Sequence, residues 1–197
     1  MNKTKFFNKV GYTLIELLAV MIVLMTIGGI ITSVLVSALR SGNRSTTTNS
    51  VRQTGSYALS QMTKMLTFAQ GFDNVSLNGV SSTNCVVPDV PAGSPTPAPF
   101  TYDSIEITSF DGGQTTFSCP LNQTYNTHIL SSNSAYLTDP NAVDATCSFT
   151  CSQESVTTPP TIGITLNVKS KGTSSFIENQ TQVNFQTSVT FRNKPVD

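Results

Sequence analysis

Hydrophobic and polar positions divide the chain into three regimes. From Leu14 to Leu39 almost every position is apolar or small, and Leu17–Leu39 carries no charge. As a helix that run spans about 35 Å at roughly 1.5 Å per residue, enough to cross a bilayer core. Polar residues take over across Ser41–Ser50. Beyond them Val51, Gly55, Ala58, Met62, Met65, Leu66 and Ala69 recur at spacings of three and four, the stripe of an amphipathic helix. Gly71 marks the stop. The pattern predicts one helix over 12–70, about 90 Å long, membrane-spanning over 12–40 and amphipathic over 41–70.

The third regime is broken into short pieces. Pro88, Pro91, Pro95, Pro97 and Pro99 exclude a helix interior or a central strand, so 71–100 reads as a Pro-rich loop, with 73–99 free of regular structure. A β-rich head is expected over 101–197. Within it Tyr102–Phe110 and Gln114–Cys119 flank Asp111-Gly112-Gly113 as a hairpin, and His128–Leu130 with Ala135–Leu137 reads as a second, shorter one. Ala145–Cys151 is a further strand. Ile162, Ile164, Leu166 and Val168 alternate along Ile162–Lys169, and after a turn at Gly172 so do Val183, Phe185, Thr187, Val189 and Phe191. The expected fold is α+β: the second half of the helix packed on a one-sided antiparallel sheet, its other face wet.

One residue breaks the first regime. Glu16 lies at the start of the apolar run, behind a segment with Lys3, Lys5 and Lys9. A carboxylate in lipid costs roughly 2.5–3.5 kcal/mol on insertion scales at the helix centre and less near the interface, which makes it a functional candidate. The octet Gly11-Tyr12-Thr13-Leu14-Ile15-Glu16-Leu17-Leu18 resembles the processing signature of type IV pilins and type II secretion pseudopilins. Gln182–Asn193 resembles, more weakly, the last strand of minor pilins and J-type minor pseudopilins.

The resemblance implies a type IV pilin-like fold and a set of roles. Residues 1–11 become a basic leader, cut after Gly11 by a prepilin peptidase that also methylates the new N-terminus, Tyr12. Tyr12 stands where the family usually has Phe. Glu16 becomes the assembly residue, meeting the N-terminal amine of a neighbouring subunit. Implied partners are other pilin or pseudopilin subunits, the peptidase/N-methyltransferase, an inner-membrane assembly platform and membrane lipid. The chain would wait as a single-pass membrane protein with its head outside, then join a surface or periplasmic filament. An ordinary signal peptide has a shorter apolar core and a small-residue cleavage site. A plain membrane anchor gives no reason for Glu16 in this context.

Composition narrows the function classes. Lys3, Lys5 and Lys9 are three of the eleven basic residues, against eleven acidic ones, so leader removal leaves a balance of −3. No basic residue lies between Lys64 and Lys169, and nucleic-acid binding is not expected. Cys85, Cys119, Cys147 and Cys151 all follow the apolar run, an even count that favours two disulfides on the exported side. Three pairings are open. If Cys147 and Cys151 share an extended strand they lie about 13 Å apart and cannot bond to each other; a turn between them would permit a local bridge.

No phosphate-cradling loop, nucleophile elbow or paired-cysteine zinc framework is present. His128 is the single histidine and reads as a strand-end or surface group. Asp103 and Glu106 fall on opposite faces of a predicted strand. Asp139 and Asp144, five apart, argue only weakly for a calcium loop. No enzyme, cofactor or metal is expected. Adhesion or ligand binding by a head mounted on a pilin stalk, or a simple single-pass anchored domain, are the alternative functions.

Overall fold

The computed structural model describes residues 11, 13–86, 100–133, 135–171 and 180–192. The leader through Val10, Tyr12, the five prolines of 88–99 and Gly172 lie outside the described residues. Two compact units divide the chain, Met1–Asn43 and Arg44–Asp197. One helix, α1 (Leu14–Thr67), contributes to each.

In the first unit α1 is apolar all round. Leu14, Ile15, Met25, Ile30 and Leu39 are each more than three-fifths exposed, and no position from Leu14 to Asn43 is buried. Two hydroxyls turn back onto their own helix: Thr26 Oγ1 donates to the Val23 carbonyl and Thr32 Oγ1 to that of Gly28, both at 2.8 Å. Such back-bonding removes polar groups from the surface without a partner outside the helix. The helix is long and apolar enough to cross a membrane.

In the second unit α1 buries one stripe. Val51, Gly55, Ala58, Met62 and Leu66 are buried, Ala69 continues the row past the helix end, and Met65 is half-buried. The predicted stripe is thus the observed one, with the helix closing at Thr67 rather than Gln70.

The stripe belongs to a core shared with two sheets, not the single one expected. The strands are β1 (Gly71–Leu77), β2 (Val80–Ser82), β3 (Thr101–Tyr102), β4 (Ser104–Thr108), β5 (Gln114–Ser118), β6 (Leu121–Asn122), β7 (Thr127–His128), β8 (Ser131–Ser132), β9 (Ala135–Tyr136), β10 (Val143–Ser152), β11 (Thr161–Ser170) and β12 (Gln182–Thr190). One antiparallel sheet runs β2-β1-β4-β5-β8-β9, another β12-β11-β10-β3, and β6-β7 forms a ribbon. Phe72 of β1 meets Phe191, just past β12, edge to face at 5.8 Å, so the two sheets close on common side chains.

Three expectations need correction. Residues 71–100 are not all loop: β1 and β2 form a hairpin around Asn78 (φ 52°) and Gly79 (φ 81°), a two-residue turn that takes left-handed backbone at both positions. The strand was hidden because its alternation is broken. A bulge between Phe72 and Asn74 lets Phe72 and Val75, three apart, both reach the core. Secondly, His128 pairs with Leu121, not with 135–137; Ser131-Ser132, read as turn, is the strand that pairs with Ala135-Tyr136. Asn133 (φ 54°) makes that turn and bonds β5 like an extra strand residue, accepting from Thr116 N at 2.7 Å and donating to Gln114 O at 3.1 Å. Thirdly, Asp103 lies at the break between β3 and β4, not on a strand face, and caps the β1–β2 turn by accepting from Asn78 N at 3.0 Å. The hairpin on either side of 111–113 forms as β4 and β5.

Cys147 and Cys151 share an extended strand, β10, so neither bonds the other. Each bonds a distant residue: Cys85–Cys151 and Cys119–Cys147, with Cα separations of 5.5 and 5.6 Å. Both bridges tie β10 to chain outside its own sheet. Two such closures contribute about 2–4 kcal/mol each in typical cases and fit an oxidising compartment.

Candidate functional site

The local geometry around Glu16 begins with Thr13. Thr13 precedes the first helical residue, and its carbonyl accepts from Glu16 N at 3.1 Å and Leu17 N at 3.2 Å. Its Oγ1 also accepts from Glu16 N, at 3.4 Å. Thr13-Leu14-Ile15-Glu16 therefore has the spacing of a capping box, with the hydroxyl at the N-cap and an acid three residues later. The signal is present in the sequence as Thr-x-x-Glu. Glu16 stands in the first turn, where the unsatisfied amides and the helix dipole favour negative charge.

Gly11 and Glu16 are both exposed; Tyr12 lies outside the described residues. Around Glu16 the flanking side chains, Ile15 at 76% and Leu17 at 55% exposure, present apolar surface. What this segment offers chemically is one carboxylate at the positive end of a helix whose whole circumference is greasy.

The cysteines serve the fold. Buried Gln153 helps hold the Cys85–Cys151 bridge: its Oε1 accepts from Cys85 N at 3.0 Å while its Nε2 donates to the Thr158 carbonyl at 2.7 Å. Gln153 gives no signal in the sequence, because a lone amide in a polar stretch carries no pattern.

His128 ends β7 beside Asp144. Asp144 Oδ1 accepts from His128 N at 2.7 Å and Thr127 Oγ1 at 3.0 Å, and lies 3.2 Å from His128 Nδ1. Partial burial pushes the Asp144 carboxyl up, but the His128 amide, the Thr127 hydroxyl and the His128 ring outweigh it and hold the group below its ordinary 3.8. This carboxylate fastens the β6-β7 ribbon to β10. Asp139 is turned to other work, accepting from Asn141 N at 2.9 Å in its own turn. Among the described residues no cluster of three metal-ligating side chains forms. His128 also borders a cleft of about 650 Å³ with Asp103, Ser118, Thr116 and the Cys119–Cys147 bridge.

Compared with protein-family models, curated proteins and solved structures, the chain matches none.

Proposed function

We propose that this chain is a structural subunit, a minor pilin or pseudopilin, of a membrane-anchored type IV pilus-like filament. One observation carries the reading: an acid in the first turn of a helix whose apolar surface is exposed on every side from Leu14 to Leu39. The resemblance of 11–18 to the processing signature supports it, as do a disulfide-bonded head and the absence of a basic patch between Lys64 and Lys169.

In this reading a peptidase cuts after Gly11, whose missing side chain lets the enzyme approach the scissile bond. The freed amine of Tyr12 is methylated. Before assembly the helix rests in lipid; on assembly it passes into a bundle of like helices. There Glu16 of an incoming subunit meets the terminal amine of one already in place. Opposite charges attract strongly in a low-dielectric setting and are costly to leave single, so the pair sets axial register while Leu17, Leu18, Val20 and Leu24 supply non-directional packing. The head does no chemistry.

The capping geometry supplies a competing account of Glu16, and the test separates the two. Glu16→Gln keeps a side chain able to complete a capping box but removes the charge. The expected outcome is normal cleavage by immunoblot and methylated Tyr12 by mass spectrometry, with incorporation into sheared filaments down at least about tenfold, equivalent to about 1.4 kcal/mol. Normal incorporation of Glu16→Gln would reduce Glu16 to a helix cap. A chain that still begins at Met1 in its native host would leave a simple anchored domain.

A further inference from the structure

The two disulfides close the same head but differ in what surrounds them. Cys85 and Cys151 are each 5% exposed and belong to the core. Val86, next to Cys85, bridges to Gln153, and the buried Gln153 side chain accepts from Cys85 N, so polar chain closes over that bond. Cys119 and Cys147 are only half-buried. Both line the cleft of about 650 Å³ bordered by His128 and by Leu121, itself more than half exposed. Exchange requires a thiolate to reach a disulfide sulfur, so access decides which bond reacts. The cleft gives access to Cys119–Cys147; burial denies it to Cys85–Cys151.

The chain around the accessible bridge is fastened in other ways as well. Cys119 and Cys147 are separated by 28 positions, and the β6-β7 ribbon lies between them. Asp144 on β10 holds that ribbon by accepting from the His128 amide and the Thr127 hydroxyl. Lys171 holds its turn, with Nζ donating to the Tyr125 carbonyl and, at 3.2 Å, to that of Pro140. The strands beside the two cysteines keep their own ladders: β5 lies between β4 and β8, and β10 between β11 and β3. Opening Cys119–Cys147 therefore takes one tie from the ribbon and leaves both sheets paired.

We propose that Cys119–Cys147 is an exchangeable disulfide, opened by a dithiol entering the cleft while Cys85–Cys151 stays closed, and that its opening loosens the β6-β7 ribbon without unfolding the head. A thiolate of the dithiol attacks one of the two sulfurs. The Cys119–Cys147 bond breaks, a mixed disulfide forms, and the other cysteine leaves as a thiolate that takes up a proton. The second thiol then attacks the mixed disulfide and releases the remaining cysteine. Two electrons pass to the chain, the dithiol ends as a disulfide, and its two protons end on Cys119 and Cys147. The reverse reaction closes the bridge again, so the thiol poise around the head sets whether the ribbon is pinned. Accessible bridges are the labile class of disulfide, buried ones the resistant class. This inference is independent of the filament reading.

The test uses the full-length chain in detergent micelles, treated with dithiothreitol for increasing times, quenched in acid and alkylated. Peptide mass spectrometry should find Cys119 and Cys147 labelled at a rate at least about tenfold above that of Cys85 and Cys151. Hydrogen exchange on the singly reduced chain should rise over 121–128 and stay unchanged in β11. A Cys-x-x-Cys oxidoreductase with its second cysteine replaced by serine serves as the protein probe. Its capture on Cys119 or Cys147 supports exchange with protein dithiols; selective reduction by dithiothreitol without capture supports exchange with small ones. The double variant Cys119→Ser with Cys147→Ser should fold and reproduce the exchange pattern of the singly reduced chain. Similar rates at the two bridges, or earlier opening of Cys85–Cys151, would overturn the proposal. So would loss of the whole fold at the first reduction, unchanged exchange over 121–128, or a double variant that does not fold.

Discussion

The two halves of α1 belong to one continuous helix and behave in opposite ways. From Leu14 to Asn43 apolar side chains point in all directions and none is buried; from Val51 to Leu66 a single row is buried almost completely and the rest is half-buried or exposed. Breadth of the apolar surface is the difference. A stripe one row wide is satisfied by the chain's own sheets, whereas a helix apolar all round needs a surrounding medium that is itself apolar, lipid or other helices. The short polar stretch 41–50 separates a segment that folds on itself from one that depends on what lies outside.

Truncation of equivalent leucines sharpens that contrast most. Leu66→Ala removes a fully buried side chain and should cost the head about 2–5 kcal/mol, read as a lower melting temperature in detergent. Leu24→Ala, at a position 63% exposed, should leave the same transition where it was. A matching loss at Leu24 would break the distinction.

Glycines give the next test. A Cβ at Gly55 would overlap the Phe185 ring, while nothing lies within 4 Å of one at Gly28. Gly55→Ala should therefore destabilise by about 1–3 kcal/mol through overpacking, despite the better helix propensity of Ala. Gly28→Ala should be neutral or stiffen the helix by about 1 kcal/mol. Thermal unfolding of the two variants side by side reads the difference.

The smallest effect belongs to the head's acid response. Asp144 titrates below its ordinary range in the folded chain, so its contribution is complete near neutrality and is lost as pH falls through the folded value, below about pH 4. Asp144→Asn should lower stability at pH 7 slightly and flatten its decline between pH 5 and 3. An unchanged acid profile would show that the His128–Asp144 contact adds nothing.

Much of this is legible in the sequence. Val51, Gly55, Ala58, Met62 and Leu66 announce a helix face by spacing alone, and the alternations in β11 and β12 announce strands. What escaped was non-periodic. The bulge at Asp73 disguised β1, and adjacent buried residues Ile129 and Leu130 obscured where β7 ended and β8 began. Asn133 forms a turn with its backbone and a sheet edge with its side chain, which no window of sequence reveals. Thr13 is readable as a cap from its spacing to Glu16.

The sequence by itself determined the long helix, its change from all-round to one-sided apolarity, and the rule that cysteines four apart in a strand cannot bond each other. These are local properties of period and reach. Tertiary structure alone decided that two sheets share the core, that Cys151 joins Cys85 and Cys147 joins Cys119, and that among the described strands β12 pairs only with β11. Each of those depends on which distant segments become neighbours, and hydrophobic pattern specifies the face a residue shows without specifying the partner it meets.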